Sequence, residues 1–214
     1  MIIPKLHYIS QGNSGKEHLD NIQKACTSGA ELVQLNLKNV SEKNYLKLAK
    51  AAREITSHFQ TRLILTDHYK IAKEVKADGV HLNPLDHSPT EVRKHLNTWQ
   101  SIGATANTLQ DCETLISKEI DYISLGPFRS TKTNDNMPSV LGLNGYKAII
   151  DAINAETIII AFGEITTEDV PELLETGVSG VAVSDEITRD FNSIRTFNQL
   201  LVASSTAEQR HTFK

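Results

Sequence analysis

Two carboxylates, Asp67 and Asp86, each follow a short apolar run, LeuIleLeuThr at 63–66 and GlyValHisLeu at 79–82. Paired acids delivered to one rim by neighbouring strands suit a hard cation such as Mg²⁺, held together with a substrate phosphate. Each acid has a plainer use as the cap of the helix that follows, Asp67 ahead of Tyr69 and Asp86 ahead of Ser88. A second chemical stretch runs from Ser124 to Tyr146, where an apolar strand end passes through a GlyPro turn into a loop of hydroxyls and cations, Arg129, Ser130, Thr131, Lys132 and Thr133. Those groups, with Lys38, are able to donate to a phosphate, and a solvated loop is the alternative. His81 stands at a strand end, either as a satisfied histidine or as a base.

Such residues need a scaffold, and the apolar pattern supplies one. Short runs recur at Leu6–Ile9, Leu32–Leu37, Leu63–Leu65, Gly79–Leu82, Ser101–Ala104, Tyr122–Leu125, Thr157–Ala161 and Gly180–Ser184. Between them lie segments with apolar residues at helical spacing, such as Leu46, Ala49, Ala52 and Ile55. Strand then helix, repeated eight times, predicts an α/β fold of the (β/α)8 TIM-barrel type in a single domain. Turn signals SerGlyAla at 28–30, AlaAspGly at 77–79 and ThrGlyVal at 176–178 end helices. Ser88, Pro89 and Glu91 read as an N-cap, a first-turn proline and a capping-box acid. The barrel is expected over 1–202, with a polar, fraying tail over 203–214.

In a barrel of this type the working groups stand just past the C-terminal ends of the strands. That places Gln34, Asn36 and Lys38 after the second strand, Thr66, Asp67 and His68 after the third, and His81, Asn83 and Asp86 after the fourth. Thr105 and Asn107 follow the fifth, Gly163 and Glu164 the seventh, and Ser184, Asp185 and Glu186 the eighth.

The chain has 214 residues, 39% hydrophobic and 22% charged, with a net charge of −4. That balance describes one soluble core and gives no basic footprint for nucleic acid. No apolar run is long enough for a membrane span and the N-terminus lacks a signal pattern, so a cytoplasmic location is expected. Cys26 and Cys112 lack metal-ligand spacing and are expected to be buried thiols.

Five segments are similar to those of the thiamine-phosphate synthase (thiamine-phosphate pyrophosphorylase) family. VQLNLK at 33–38 resembles VQLREK, and LTDHYKIAKEVKADGVHL at 65–82 resembles INDRVDLALAVGADGVHL. DYISLGPFRSTKTN resembles DYIGVGPIFPTSTK, and the AFGEI and GVAVSDEI segments resemble AIGGI and GVAVVSAI. The resemblance implies that a pyrimidine pyrophosphate loses pyrophosphate to give a stabilised pyrimidinylmethyl cation, which the nitrogen of a thiazole phosphate captures. It also implies Mg²⁺ on Asp67 and Asp86, and catalytic roles for Lys38, His81 and Thr105. Substrate contacts are implied for Gln34, Asn36, Lys38, Thr66, Thr105, Thr131, Thr133, Asn134, Gly163, Glu164 and Ser184. The expected partners are phosphorylated small molecules, with no nucleic acid or membrane, and a homodimer is left open.

The departures from the family pattern cluster at the mouth. Asn36 stands for an arginine, Asn134 for a lysine and Thr66 for an asparagine, while Asn83, Pro84 and Leu85 stand for GlyGlnGlu. Glu164 replaces a glycine whose N–H is expected to face the thiazole phosphate, and Asp185 adds an acid nearby. Asn107 stands where a related thiazole tautomerase has histidine. The alternative reading is therefore a member with lost or altered activity, either a non-catalytic binder or an engineered barrel scaffold.

Overall fold

The computed structural model describes residues 2–84, 87–130, 139–153 and 156–211, with side chains to residue 203. Eight parallel strands close into a barrel in sequence order: β1 Leu6–Ile9, β2 Leu32–Leu35, β3 Arg62–Thr66, β4 Gly79–Leu82, β5 Ser101–Ala106, β6 Tyr122–Leu125, β7 Ile158–Phe162 and β8 Gly180–Val183. The ladder shuts where Leu6, His7 and Tyr8 pair with Val181, Ala182 and Val183. Helices follow the strands: α1 Gly15–Thr27, α2 Glu42–His58, α3 Tyr69–Glu74, α4 Pro89–Arg93, α5 Leu109–Ile116, α6 Gly142–Ala152, α7 Val170–Glu175, α8 Asp185–Arg189 and α9 Ser193–His211. The expected TIM-barrel architecture is thus observed. Asp86, Thr131, Thr133 and Asn134 lie outside the described residues.

Alternation along each strand makes two cores. Outward residues such as Val33, Leu35, Leu63, Leu65, Val80, Ile123, Leu125, Val181 and Val183 join the helices in one large apolar cluster. Inward residues form a smaller cluster of Tyr122, Ile160 and Ala182, packed with Ile9, Ile158 and Phe162. Tyr122 lies flat across the lumen because β5 carries Gly103 beside it: a Cβ there would sit 2.0 Å from the tyrosine Cζ.

Polar clips fix the strand ends. Below the barrel, Asp78 accepts from the Leu63 N–H at 2.8 Å and pairs with Arg53, while Asp121 accepts from the Ile102 N–H at 2.7 Å and pairs with Arg93. Above it, the Tyr45 hydroxyl of α2 lies 3.2 Å from the carbonyls of both Leu35 and Thr66. The Tyr146 hydroxyl of α6 lies 2.6 Å from the Leu125 carbonyl and 3.2 Å from that of Phe162. Each tyrosine ties two neighbouring strand tips together just below the mouth, satisfying carbonyls that a parallel ladder leaves over at its end.

Two local expectations are corrected. Ser88 is the N-cap of α4 and Pro89 opens it, but the Ser88 side chain makes no cap bond, the Glu91 N–H donating to the Ser88 carbonyl at 3.0 Å, and the Glu91 carboxylate accepts from Lys94. The turn before β4 is made by Lys76 at φ +55, whereas Gly29 and Gly177 are themselves the positive-φ residues of their turns. Gly79 is small for another reason: its missing Cβ would fall 2.3 Å from the Ser101 carbonyl oxygen. The α9 backbone is helical through His211.

Candidate functional site

The strand tips open on a hollow of about 420 Å³ lined by Gln34, Asn36 and Lys38 from β2, Thr66 from β3, His81 and Asn83 from β4, and Thr105 and Asn107 from β5. Ile9, Pro84, Ser124, Pro127 and Phe162 complete the wall. A second hollow of about 450 Å³ beside it is lined by Gly163, Glu164, Ser184, Asp185 and Arg189. Ile9, Asn36, Lys38 and Phe162 belong to both. Of the predicted site residues, Gln34, Asn36, Lys38, Thr66, His81 and Thr105 line the first chamber and Gly163, Glu164 and Ser184 the adjoining one, with the cation Lys38 common to both, while Asp67 lines neither. A third recess of about 480 Å³ opens between the loops after β1 and β2 and shares Asn36 and Lys38.

Gln34 is buried, and its Nε2 donates to Thr66 Oγ1 at 3.0 Å. That bond fixes the amide plane and leaves Oε1 and the second N–H to face the hollow. Asn36 is placed by its backbone, whose N–H donates to Ser10 Oγ at 3.2 Å; the same hydroxyl pairs with His18 Nδ1 at 2.9 Å. Lys38 is exposed beside it.

His81 is paired at both ring nitrogens, Nδ1 to the Tyr122 hydroxyl at 3.2 Å and Nε2 to Thr105 Oγ1 at 2.9 Å. Burial, reinforced by the neighbouring His7, pushes its pKa down to about 3. The ring is neutral near pH 7, so its contribution is a hydrogen bond to Thr105 rather than a charge. Asn107, whose Nδ2 donates to the Gly126 carbonyl at 2.6 Å, is committed to the turn after β6.

Asp67 takes φ +60, a left-handed conformation in which its carboxylate reaches across to β4. There it accepts from Asn83 N–H at 2.8 Å and from Asn83 Nδ2 at 2.5 Å. It does not cap α3, whose N-cap is His68. As a cation ligand set, Asp67 and the Asn83 carboxamide oxygen offer only hard oxygens. That chemistry fits Mg²⁺. Among the described residues no group of three or more acids, histidines or cysteines gathers around a common point.

In the second chamber Gly163 has φ +113, and a Cβ on it would meet Phe128 N at 2.6 Å and Pro127 Cβ at 2.8 Å. Glu164 has φ +48, a left-handed conformation that glycine adopts more readily, and its side chain is exposed. Asp185 accepts a short hydrogen bond from Gln11 and lies 3.7 Å from Arg189. The acidity expected to repel a phosphate there is retained at Glu164, which lines the chamber, and partly neutralised at Asp185 by Arg189. Ser184 donates from Oγ to the Ile9 carbonyl at 2.8 Å.

Arg129 does not enter either chamber. Its guanidinium grips Asp169 through two bonds of 2.6 and 2.5 Å, donates to the Glu164 carbonyl at 3.1 Å and covers Phe128. Burial would raise the Asp169 carboxyl, but hydrogen bonds from Arg129 and Thr166 outweigh it and hold the group below its ordinary pKa.

Ile9, Tyr122, Ser124 and Phe162 were not among the predicted site residues. Steps of two along their own strands find such positions, with Tyr122 and Ser124 on β6, Ile160 and Phe162 on β7 and His7 and Ile9 on β1, because inward residues repeat every second place.

The sequence profile of the thiamine monophosphate synthase family matches residues 6–187. The chain is 38% identical over 187 residues to the thiamine-phosphate synthase of Flavobacterium johnsoniae, covering 86% of this chain and 88% of that protein. It is 37% identical to that of Flavobacterium psychrophilum, covering 92% and 97%. A thiamine phosphate pyrophosphorylase from Pyrococcus furiosus superposes with a TM-score of 0.78 at 25% identity, covering 92% of this chain and 96% of that one. With the profile spanning the barrel from its first strand into α8, this chain belongs to the thiamine monophosphate synthase family.

Proposed function

We propose that the protein is a transferase that joins a pyrimidinylmethyl pyrophosphate to a thiazole phosphate, giving thiamine phosphate and pyrophosphate. The observation that carries this reading is the convergence of Gln34, Lys38, Thr66, His81 and Thr105 on one hollow that shares Lys38 with a second chamber containing Gly163 and Ser184. Two substrates must meet, and two adjoining chambers hold them.

The C–O bond to the leaving pyrophosphate breaks with its electron pair, and the carbon left electron-poor bonds to the thiazole nitrogen. No side chain need form a covalent bond. The fixed Gln34 amide and the Thr105 hydroxyl orient the pyrimidine. Ile9 and Phe162 supply the apolar wall common to both rings, and the Lys38 ammonium meets charge developing on the leaving group. In this reading the thiazole phosphate lies beside Ser184 in the chamber lined by Gly163. Asp67 and Asp86 would hold Mg²⁺, which when bound neutralises pyrophosphate charge.

Incubation with both precursors and MgCl₂ is expected to yield thiamine phosphate, and Lys38→Ala to lower kcat by about 100-fold, the usual scale for one lost charge-stabilising donor. Absence of turnover above background overturns the reading. In that case the weakened cation count at Asn36 favours a member that binds these phosphates without joining them.

A further inference from the structure

We propose that Tyr122 is a positioning residue: its hydroxyl donates to His81 Nδ1 and thereby fixes the His81 proton on Nε2, so that Thr105 turns its own hydroxyl proton to the mouth. The inference deepens the proposed function, and it rests on that reading for the identity of the substrate.

The geometry runs from the barrel floor upward. His7 is fully buried, and its Nε2 lies 3.0 Å from the Pro4 carbonyl, which only accepts, so this nitrogen carries the proton. His7 Nδ1 is then a lone pair without a partner among the described residues. The His7 ring meets Tyr122 edge to face at 5.0 Å and takes no hydrogen bond from it. Tyr122 is itself fully buried, and among the described residues its hydroxyl is paired with His81 Nδ1 at 3.2 Å. Were His81 to carry its proton on Nδ1, the tyrosine O–H would be left as a buried donor without an acceptor. Such a donor costs more than an idle oxygen lone pair. The tyrosine therefore donates, Nδ1 accepts, and the proton sits on Nε2.

The consequence reaches the mouth through one more bond. Nε2–H donates to Thr105 Oγ1 at 2.9 Å, which occupies a threonine lone pair and frees the threonine proton. Thr105 is half-buried and lines the central hollow, so the free O–H points its donor toward whatever fills it. In the opposite tautomer Thr105 would spend its proton on His81 and show only lone pairs. The Tyr122–His81–Thr105 chain thus selects a substrate whose atom at this place accepts a hydrogen bond, such as an unprotonated ring nitrogen or a phosphate oxygen.

The test is ¹⁵N-labelled protein observed through two-bond proton–nitrogen correlations of the histidine rings. His81 is assigned by its loss in His81→Gln or, should that variant not fold, by its contacts to the Tyr122 ring. The expected pattern has the proton on Nε2, with the Nδ1 resonance moving toward that of a free imidazole nitrogen in Tyr122→Phe and Nε2 moving in Thr105→Val. A proton on Nδ1 in the unsubstituted protein overturns the proposal. In the synthase assay Tyr122→Phe is expected to lower kcat/KM by about tenfold, the worth of one hydrogen bond, and to have no further effect in a Thr105→Val background. An equal loss in both backgrounds overturns it as well. If the unsubstituted protein shows no turnover, the synthase reading fails and the ring resonances alone decide whether Tyr122 sets the tautomer.

Discussion

His7 and His81 show how a residue's setting changes its chemistry. Burial lowers His7 to about 4 and His81 to about 3, below the ordinary 6.5 at which the unfolded chain takes up its protons. Above pH 6.5 both states are neutral and nothing is lost. As pH falls from 6.5 toward 4, the unfolded chain gains protons that the native rings refuse, so stability declines by about 1.4 kcal/mol per pH unit for each histidine. Denaturant midpoints are expected to fall between pH 7 and pH 5 while the His81 ring resonances of the folded protein stay constant. A His81 titration near pH 6 in the folded state contradicts this. Glu164 makes a second point at the same scale, since an acid holds φ +48 where glycine rests without strain. Glu164→Gly is expected to stabilise the fold by about 1 kcal/mol, read as a rise in the thermal midpoint.

Among the elements, the strand tips are held by helices rather than by the ladder alone. The buried Tyr146 hydroxyl, on the helix following the β6 loop, bonds the carbonyls at the ends of β6 and β7. Tyr146→Phe keeps the ring and removes those bonds, so it is expected to cost about 1–3 kcal/mol in equilibrium unfolding. An unchanged midpoint would mean that water satisfies both carbonyls. The element pattern was plain in the sequence because strand and helix periodicities alternate through the whole chain. Its fine joints were not. Glu91 had a capping-box position but a nearer cation in Lys94, and Ala203 onward lacked apolar spacing yet simply extends α9. A cap competes with an ion pair, and a helix already nucleated continues through polar residues, which spacing alone does not reveal.

For the whole molecule, a net charge of −4 does not draw in anions, so phosphate affinity has to come from local groups. Among the described lining residues of the central hollow, Lys38 is the one cation. Asn36→Arg combined with Glu164→Gly is therefore expected to tighten binding of pyrophosphate with Mg²⁺ by about tenfold and to enlarge the rise in thermal midpoint that the ligand produces. Calorimetry showing equal affinities would mean that Asn36 does not face the bound phosphates.

The sequence by itself determined the barrel, the rim to which each of its residues belongs and the family. Those follow from the strand-and-helix repeat and from motifs carried on contiguous residues. It also nominated Gln34, Asn36, Lys38, Thr66, His81 and Thr105, which the fold brings to a single hollow. Tertiary structure alone decided the direction and state of each group. Asp67 turns to Asn83 instead of capping a helix, and Arg129 turns away to Asp169. His81 is neutral and tied between Tyr122 and Thr105. The reason is physical: a motif fixes which residue arrives at the mouth, but its partners come from other strands. Hydrogen bonding and desolvation between strands distant in sequence set where the side chain points and whether it carries charge.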